Sequence, residues 1–396
     1  MFFFSQIISY ILFNLGYLII TPKTYSFGGF YHTIIYGLKL SRLKNKKSLF
    51  AISLINLQDS SLKIYHADIL IKIFKSYSLI EKILCLILSL YINLNNIVLL
   101  LLRKILFSKY NSKYIHLIFS DYIGYADRKN KLDYFLRKLD LNYSELVSNK
   151  LDLSSLYKNQ NAKSVCFSIK DDNYSKIKEI SSHLISNINN CKKSLNFLLN
   201  EDLKVSRVGE SLMNKFNFKN KNYHDLCYEK NHNELLNETY ANSKFYFGSS
   251  GSLGLAAEVF NKKKFIINEI CHLEANQSAD FNNFIIFKKI ICVKSKKIIK
   301  LSELFEKKLF YMSDILEGMK DNLIYLEENS EDDIFDGLVE FYEHNFKNKK
   351  INLLLNNKYQ EIRNDYINKF YNTPADSHLK NHLFTIPDSY LSKYLM

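Results

Sequence analysis

Fourteen residues constrain this chain more than any others: Phe245-Tyr-Phe-Gly-Ser-Ser-Gly-Ser-Leu-Gly-Leu-Ala-Ala-Glu258. Aromatic residues suited to a strand give way to small ones, and helix formers follow without a spacer. A strand that passes so abruptly into a helix is buried on both faces, with the helix returning along it. That is the unit of an α/β fold with a parallel sheet. Backbone N–H groups at Gly251, Ser252 and Leu253 would face whatever lies beyond the carboxyl end of the strand. The helix dipole adds partial positive charge there. Ser249, Ser250, Gly251 and Ser252 are therefore candidates for cradling a phosphate or diphosphate. Glu258, seven residues after Gly251 on the same helix, is placed to accept from the paired hydroxyls of a ribose. No Lys-Ser/Thr follows the glycines, so the block is not a P-loop. Small residues also permit tight helix–sheet packing with no ligand, and that reading stands beside the first.

The same alternation recurs along the chain. In the first half, strands are expected over residues 17–21, 49–55 and 114–119, and helices over 31–43 and 83–106, with Ser26-Phe27-Gly28-Gly29 as a turn. In the second half, strands fall at 164–169, 203–208, 245–248, 265–268 and 323–326, with helices at 187–200, 234–242 and 253–260. Ser330-x-x-Asp333 approximates a capping box for a helix over 333–345. The polar stretch 158–163 separates two apolar segments. Three parts follow: a first domain over 1–160, a second over 161–345, and a helical tail over 346–396. With 47% hydrophobic and 24% charged residues, the chain is not disordered. Its six cysteines are scattered without a CxxC pair, as in reduced, buried thiols of a cytosolic-type compartment, and no metal site is expected.

Charge is distributed unevenly. The net charge is +14, yet residues 1–150 alone carry 20 Lys and Arg against 8 Asp and Glu. Such a surplus fits an anionic partner; compositional drift toward lysine would produce part of it too. Residues 1–22 are uncharged but lack the basic flank of a signal peptide. Residues 83–102 are also uncharged and lie between Lys82 and Arg103-Lys104, with Asn93, Asn95 and Asn96 near the middle. A buried core helix, an interfacial helix and a membrane span all fit that pattern. Together with the basic surplus, it favours an acidic membrane surface over nucleic acid as the partner; no basic patch interleaved with stacking aromatics is present.

Several further side chains could carry chemistry. Arg207, two residues before Gly209 at a strand end, is a candidate for charge-assisted bonds to a diphosphate, and Lys170 for a point charge in the same place. Asp171 and Asp172 follow the same strand end as Lys170. Asp171 could bind acceptor hydroxyls or act as a base, and a solvated turn accounts for it equally. His32, just past the glycine turn, has the titration range of a general base, though a helix-start histidine without that role reads the same. His224 and Asp225 are weaker candidates for shaping a nucleotide pocket.

These stretches carry a family resemblance. Ser26-Phe-Gly-Gly-Phe-Tyr-His-Thr33, Val165 to Tyr174, Val205-Ser-Arg-Val-Gly209 and Phe245 to Asn268, with a weaker stretch from Leu383 to Tyr394, resemble bacterial GT-B glycosyltransferases distantly akin to heptosyltransferases. The chain departs from that family's pattern where Ser168 and Lys170 stand in place of a His and an Arg. It departs again at Leu184-Ile185-Ser186-Asn187, which lacks two charges, and at Gly28-Gly29, where Gly-Asp is common. The resemblance implies two Rossmann-like domains facing each other across a cleft. It implies metal-independent glycosyl transfer from a nucleotide sugar to a cell-surface glycan or lipid-linked acceptor, with the nucleotide as substrate and no cofactor. The catalytic set is expected at His32, Asp171 and Arg207. The nucleotide would lie on Lys170, Gly209, Ser249, Ser250, Gly251, Ser252 and Glu258. The expected location is cytoplasmic, on the inner face of the plasma membrane. A relative that has lost its charged positions and binds glycan or nucleotide without turnover is the alternative.

Overall fold

The computed structural model describes residues 8, 11–22, 27–54, 67–106, 149–157, 163–173, 185–209, 213–273, 279–350, 352–371, 379–380 and 383–395. The chain divides into two compact units, between Leu156 and Tyr157.

In the first unit, β1 (Tyr17–Ile20) and β2 (Lys47–Phe50) pair in parallel, joined by α1 (Phe27–Leu43). This is a βαβ unit. The helix begins at Phe27, inside the stretch expected as a turn. Phe30, Tyr31 and Ile34 are fully buried, and that burial outweighs the cost of about 1 kcal/mol for each of Gly28 and Gly29 in the first turn. Two more helices follow, α2 (Ala67–Lys75) and α3 (Leu79–Leu106). α3 starts four residues ahead of expectation because Ser78 and Glu81 cap it: Ser78 N–H donates to Glu81 Oε2 at 2.8 Å, and Glu81 N–H to Ser78 Oγ at 3.4 Å. The strand expected over 114–119 lies outside the described residues.

The second unit is built on one seven-stranded sheet, with every pair parallel. Its strands are β3 (Ser164–Ser168), β4 (Lys204–Arg207), β5 (Tyr223–Asp225), β6 (Ser243–Ser249), β7 (Lys263–Glu269), β8 (Ala279–Phe287) and β11 (Leu383–Thr385), ordered β11-β8-β7-β6-β3-β4-β5. Strands β9 (Lys289–Cys292) and β10 (Ile324–Glu327) form a separate antiparallel pair. From β3 the chain winds outward through β4 and β5, returns to the far side of β3, and continues outward through β6, β7 and β8. This is the strand order of a Rossmann-like sheet, extended by one strand.

Side chains alternate across that sheet. Val165, Phe167, Phe245, Phe247 and Phe265 face α4 (Lys192–Asn200) and α9 (Glu331–Phe346) in one continuous core. There Phe341 packs its ring 5.1 Å from Phe245, 5.8 Å from Phe265 and 5.6 Å from Phe284. On the opposite face, α5 (His232–Asn242) and α6 (Ser252–Val259) bring Tyr240 against Tyr246, at 5.9 Å. The capping box at the start of α9 is present: Asp333 N–H donates to Ser330 Oγ, and Ser330 N–H to Asp333 Oδ2. The connection between β9 and β10 carries α7 (Leu301–Glu306) and α8 (Met312–Lys320), which the apolar pattern did not reveal.

The tail over 346–396 is not wholly helical. After α10 (Leu353–Phe370) it supplies β11 to the sheet edge, then a short helix α11 (Asp388–Tyr390) and a π-helical turn over Leu391–Leu395. Asn356 fixes this return by exchanging hydrogen bonds with the Ile386 backbone, 2.9 Å each. Phe384, Ile386, Tyr390 and Leu391 are buried in the same core as the strands.

Candidate functional site

In a doubly wound sheet, a crevice opens at the carboxyl ends of the two strands where winding reverses. Here those strands are β3 and β6, held in register from Phe167 and Phe247 to Ser168 and Gly248. They approach so closely at their ends that a Cβ on Gly248 would overlap the Ser168 carbonyl. Lys170 follows β3 and donates its N–H to Ser249 Oγ at 3.2 Å. Gly251 then turns the chain into α6 with φ +95° and ψ −143°, a conformation open to glycine and costly for other residues. Gly251, at the N-cap, has no side chain with which to cap α6, and a helix start of that kind suits an external acceptor.

Lys170 completes the arrangement. Its Nζ lies 2.6 Å from where a Cβ of Gly251 would stand. Burial pushes the Lys170 ammonium below its usual pKa, opposed in part by the Glu269 carboxylate. Glu269 ends β7 next door. Burial pushes its carboxyl up, against hydrogen bonds from Ile270 N–H, the Ser250 side chain and Cys271 N–H. Sequence reasoning passed over Glu269; its signal was an acid directly after the apolar strand Phe265-Ile-Ile-Asn. Ser168 Oγ, at the end of β3, is buried without a hydrogen-bond partner among the described residues. The result is a narrow polar cradle: a helix N-terminus, a glycine that permits close approach, and a lysine whose charge lacks full solvation.

Other expected residues lie elsewhere. Arg207 is fully buried in the sheet, at the end of β4. Its NH1 donates to Asp225 Oδ2 at 2.9 Å and to Asn214 O at 2.8 Å, and its NH2 lies 3.6 Å from Asp171 Oδ2. The guanidinium thus ties strand ends together and is not presented to a ligand. Asp171 is buried with it and accepts from Asn214 N–H at 2.6 Å. Asp172, exposed beside it, accepts from Asn214 Nδ2. Glu258 is buried too, 3.5 Å from Lys264 Nζ on β7, which directs it toward the sheet and away from the start of its own helix. Gly209 is buried past β4. Ser250 is half-buried and Gly251 exposed. Ser252 is the first residue of α6, and its side chain lies outside the described residues, as does that of His32 on α1. Ser26, Tyr174 and Leu184, quoted for the resemblance, also fall outside them. Among the described residues, no group of three or more His, Cys, Asp or Glu could hold a metal ion.

No family model, curated protein or solved structure matches the chain.

Proposed function

We propose that this chain is a glycosyltransferase that takes its sugar from a nucleotide-activated donor, with the diphosphate of the donor held at the reversal point of the second unit. The single observation that carries the reading is the cradle where β3 and β6 end. Gly251, the start of α6 and the Lys170 ammonium converge on one small volume suited to a dianion. Electrostatic stabilisation of a leaving diphosphate needs donors already fixed where the charge develops. In this reading Lys170 takes the part that the sequence assigned to Arg207. The two units would be the two Rossmann-like halves of a GT-B enzyme, the first receiving a glycan or lipid-linked acceptor, with His32 as its candidate base.

The test is thermal stabilisation by a panel of nucleoside diphosphates and their sugars, since a ligand that binds only the folded state raises its melting temperature. At least one should stabilise the wild type. Gly251→Val should abolish the effect while leaving the circular dichroism spectrum unchanged. Proton uptake is a second readout. A bound dianion raises the pKa of Lys170 from its lowered position and raises that of Glu269 further, so both groups gain protons on binding. Calorimetry in buffers of different ionisation enthalpy should register uptake and no release. Unchanged nucleotide affinity in a folded Gly251→Val protein would sink the cradle.

A second reading, binding without turnover, is favoured by one set of observations. Arg207 and Asp171, expected at the chemistry, and Glu258, expected at the ribose, are buried against partners within the fold. Nucleotide binding without transfer to any acceptor would select it.

A further inference from the structure

The helix α3 of the first unit is apolar on both sides. Its protein-facing side buries Cys85, Leu88 and Ile92 against Leu49 and Ala51, interleaved with polar groups bonded to the strand β2 and its exit. Glu81 meets Lys47 Nζ at 2.9 Å, and Ser89 Oγ accepts from Ile52 N–H at 2.9 Å. Asn93 brackets the strand exit, accepting from Leu54 N–H at 2.8 Å and donating to Ile52 O at 2.9 Å. Asn96 donates to Ser53 Oγ at 2.8 Å. Among the described side chains its outward side is apolar: Leu79, Ile80, Ile83, Leu86, Ile87, Leu90, Leu94 and Ile97 are exposed by 43 to 73%. With 3.6 residues per turn these eight positions share one sector about 120° wide, and from Leu79 to Ile97 it runs about 27 Å. Ile71 on α2, 52% exposed, adds to the apolar surface of the same unit. Of the asparagines near the middle of the run, Asn95 and Asn96 are buried on the other side, and Asn93, at the margin of the stripe, is turned to the backbone of Ile52 and Leu54.

A stripe of that size facing water is costly, and soluble monomers rarely carry one. Charge decides what covers it. Residues 1–150 hold 20 basic against 8 acidic side chains. A second copy would set this surplus against itself, whereas an acidic lipid surface is complementary to it. Lys82 borders the stripe, and Lys75 is exposed at the end of α2. The inner side of α3 is bonded to the exit of β2, so the helix cannot be surrounded by hydrocarbon without losing those bonds. We propose that α3 lies in the plane of an anionic bilayer, with the Leu79-to-Ile97 stripe immersed among the upper acyl chains and basic side chains at the headgroups. This surface belongs to the first unit and stands whether or not the second binds a sugar nucleotide.

The chain has no tryptophan, so a single introduced one reports its own surroundings. Leu90→Trp should shift its emission to the blue on phosphatidylcholine vesicles containing phosphatidylglycerol, and be quenched by lipids brominated on their acyl chains. Leu354→Trp, at an exposed site on α10 in the second unit, should do neither. The wild type should sediment with the anionic vesicles and be released as salt rises. The pair Leu86→Glu with Leu90→Glu should lower partitioning by about a hundredfold or more, and Leu86→Phe with Leu90→Phe should retain it. An unchanged melting temperature would show that both pairs are folded. Absence of vesicle binding at low salt would overturn the proposal, as would binding indifferent to the glutamates. A concentration-dependent dimer that the glutamate pair abolishes, without vesicle binding, would assign the stripe to a second copy. Release by detergent alone, with Leu90→Trp beyond the reach of shallow quenchers, would replace the in-plane helix by a spanning one.

Discussion

Helices α3 and α9 begin in the same way but differ in what they leave outside. Each is opened by a serine and an acid three residues on, Ser78 with Glu81 and Ser330 with Asp333. In α9 the core takes Ile334, Leu338, Phe341 and Tyr342, while Asp332 and Asp336 stay in water. In α3 the fold takes Glu81, Asn95 and Asn96 along with Leu88 and Ile92, and leaves a row of leucines and isoleucines outside. A cap fixes where a helix starts; what it packs against fixes which side turns inward. The sheet beneath α9 has every strand paired, so it asks only for apolar volume. The exit of β2 beneath α3 presents unpaired backbone groups at Ile52 and Leu54, and those demand donors and acceptors.

That contrast can be broken most forcefully in the second unit. Phe341→Ala empties the centre of an aromatic cluster and should cost about 3–5 kcal/mol by chemical denaturation. Asn93→Leu, a change toward apolar character on the inner side of α3, should also destabilise, by about 1–3 kcal/mol, because it strands the Leu54 N–H and the Ile52 carbonyl. A stabilising outcome would mean that α3 packs as α9 does. Acid should come next. Hydrogen bonds from Lys47 and Ser78 hold the Glu81 carboxyl at about 2, below its usual 4.5. Its contribution is complete above the unfolded pKa and lost as pH falls from about 4.5 toward 2. Hydrogen exchange at the start of α3 should therefore accelerate over that range, and Glu81→Gln should flatten the dependence. The smallest effect belongs to Leu86→Ser on the outward stripe. It should change the stability of the free protein by less than about 0.5 kcal/mol, although the same change in α9 at Leu338 would be severe.

Legibility from sequence followed the range of the interactions. The β6–α6 junction and the α9 cap were readable because every residue they need lies within a few positions. The Ser78 cap was equally local, but the uncharged run beginning at Ile83 drew the helix start forward. Strand β8 was hidden by Asp280, Asn282 and Asn283 within it, and β11 by its three-residue length; Asn356 and the edge of β8 place it, neither nearby in sequence. Arg207 shows the same limit at the site. Its position at a strand end was foreseen, yet its role depends on Asp225 lying opposite it on β5, a fact of topology. Lys170 emerged as the stronger basic group only because β3 and β6, 79 residues apart at their starts, prove to be neighbours.

Strand β11 and the turn after it have a consequence for synthesis on the ribosome. Tyr394 and Lys393 bond to Asp333 at 2.6 and 2.7 Å, and Tyr390 donates to the Phe287 carbonyl at 2.6 Å. A nascent chain halted before residue 383 therefore holds an unpaired edge on β8 and an open seam above α9. Exposed edges of that kind are templates for unwanted pairing and targets for chaperones. The second unit must wait for translation of that segment before it can close, so truncated products should betray themselves by their stickiness.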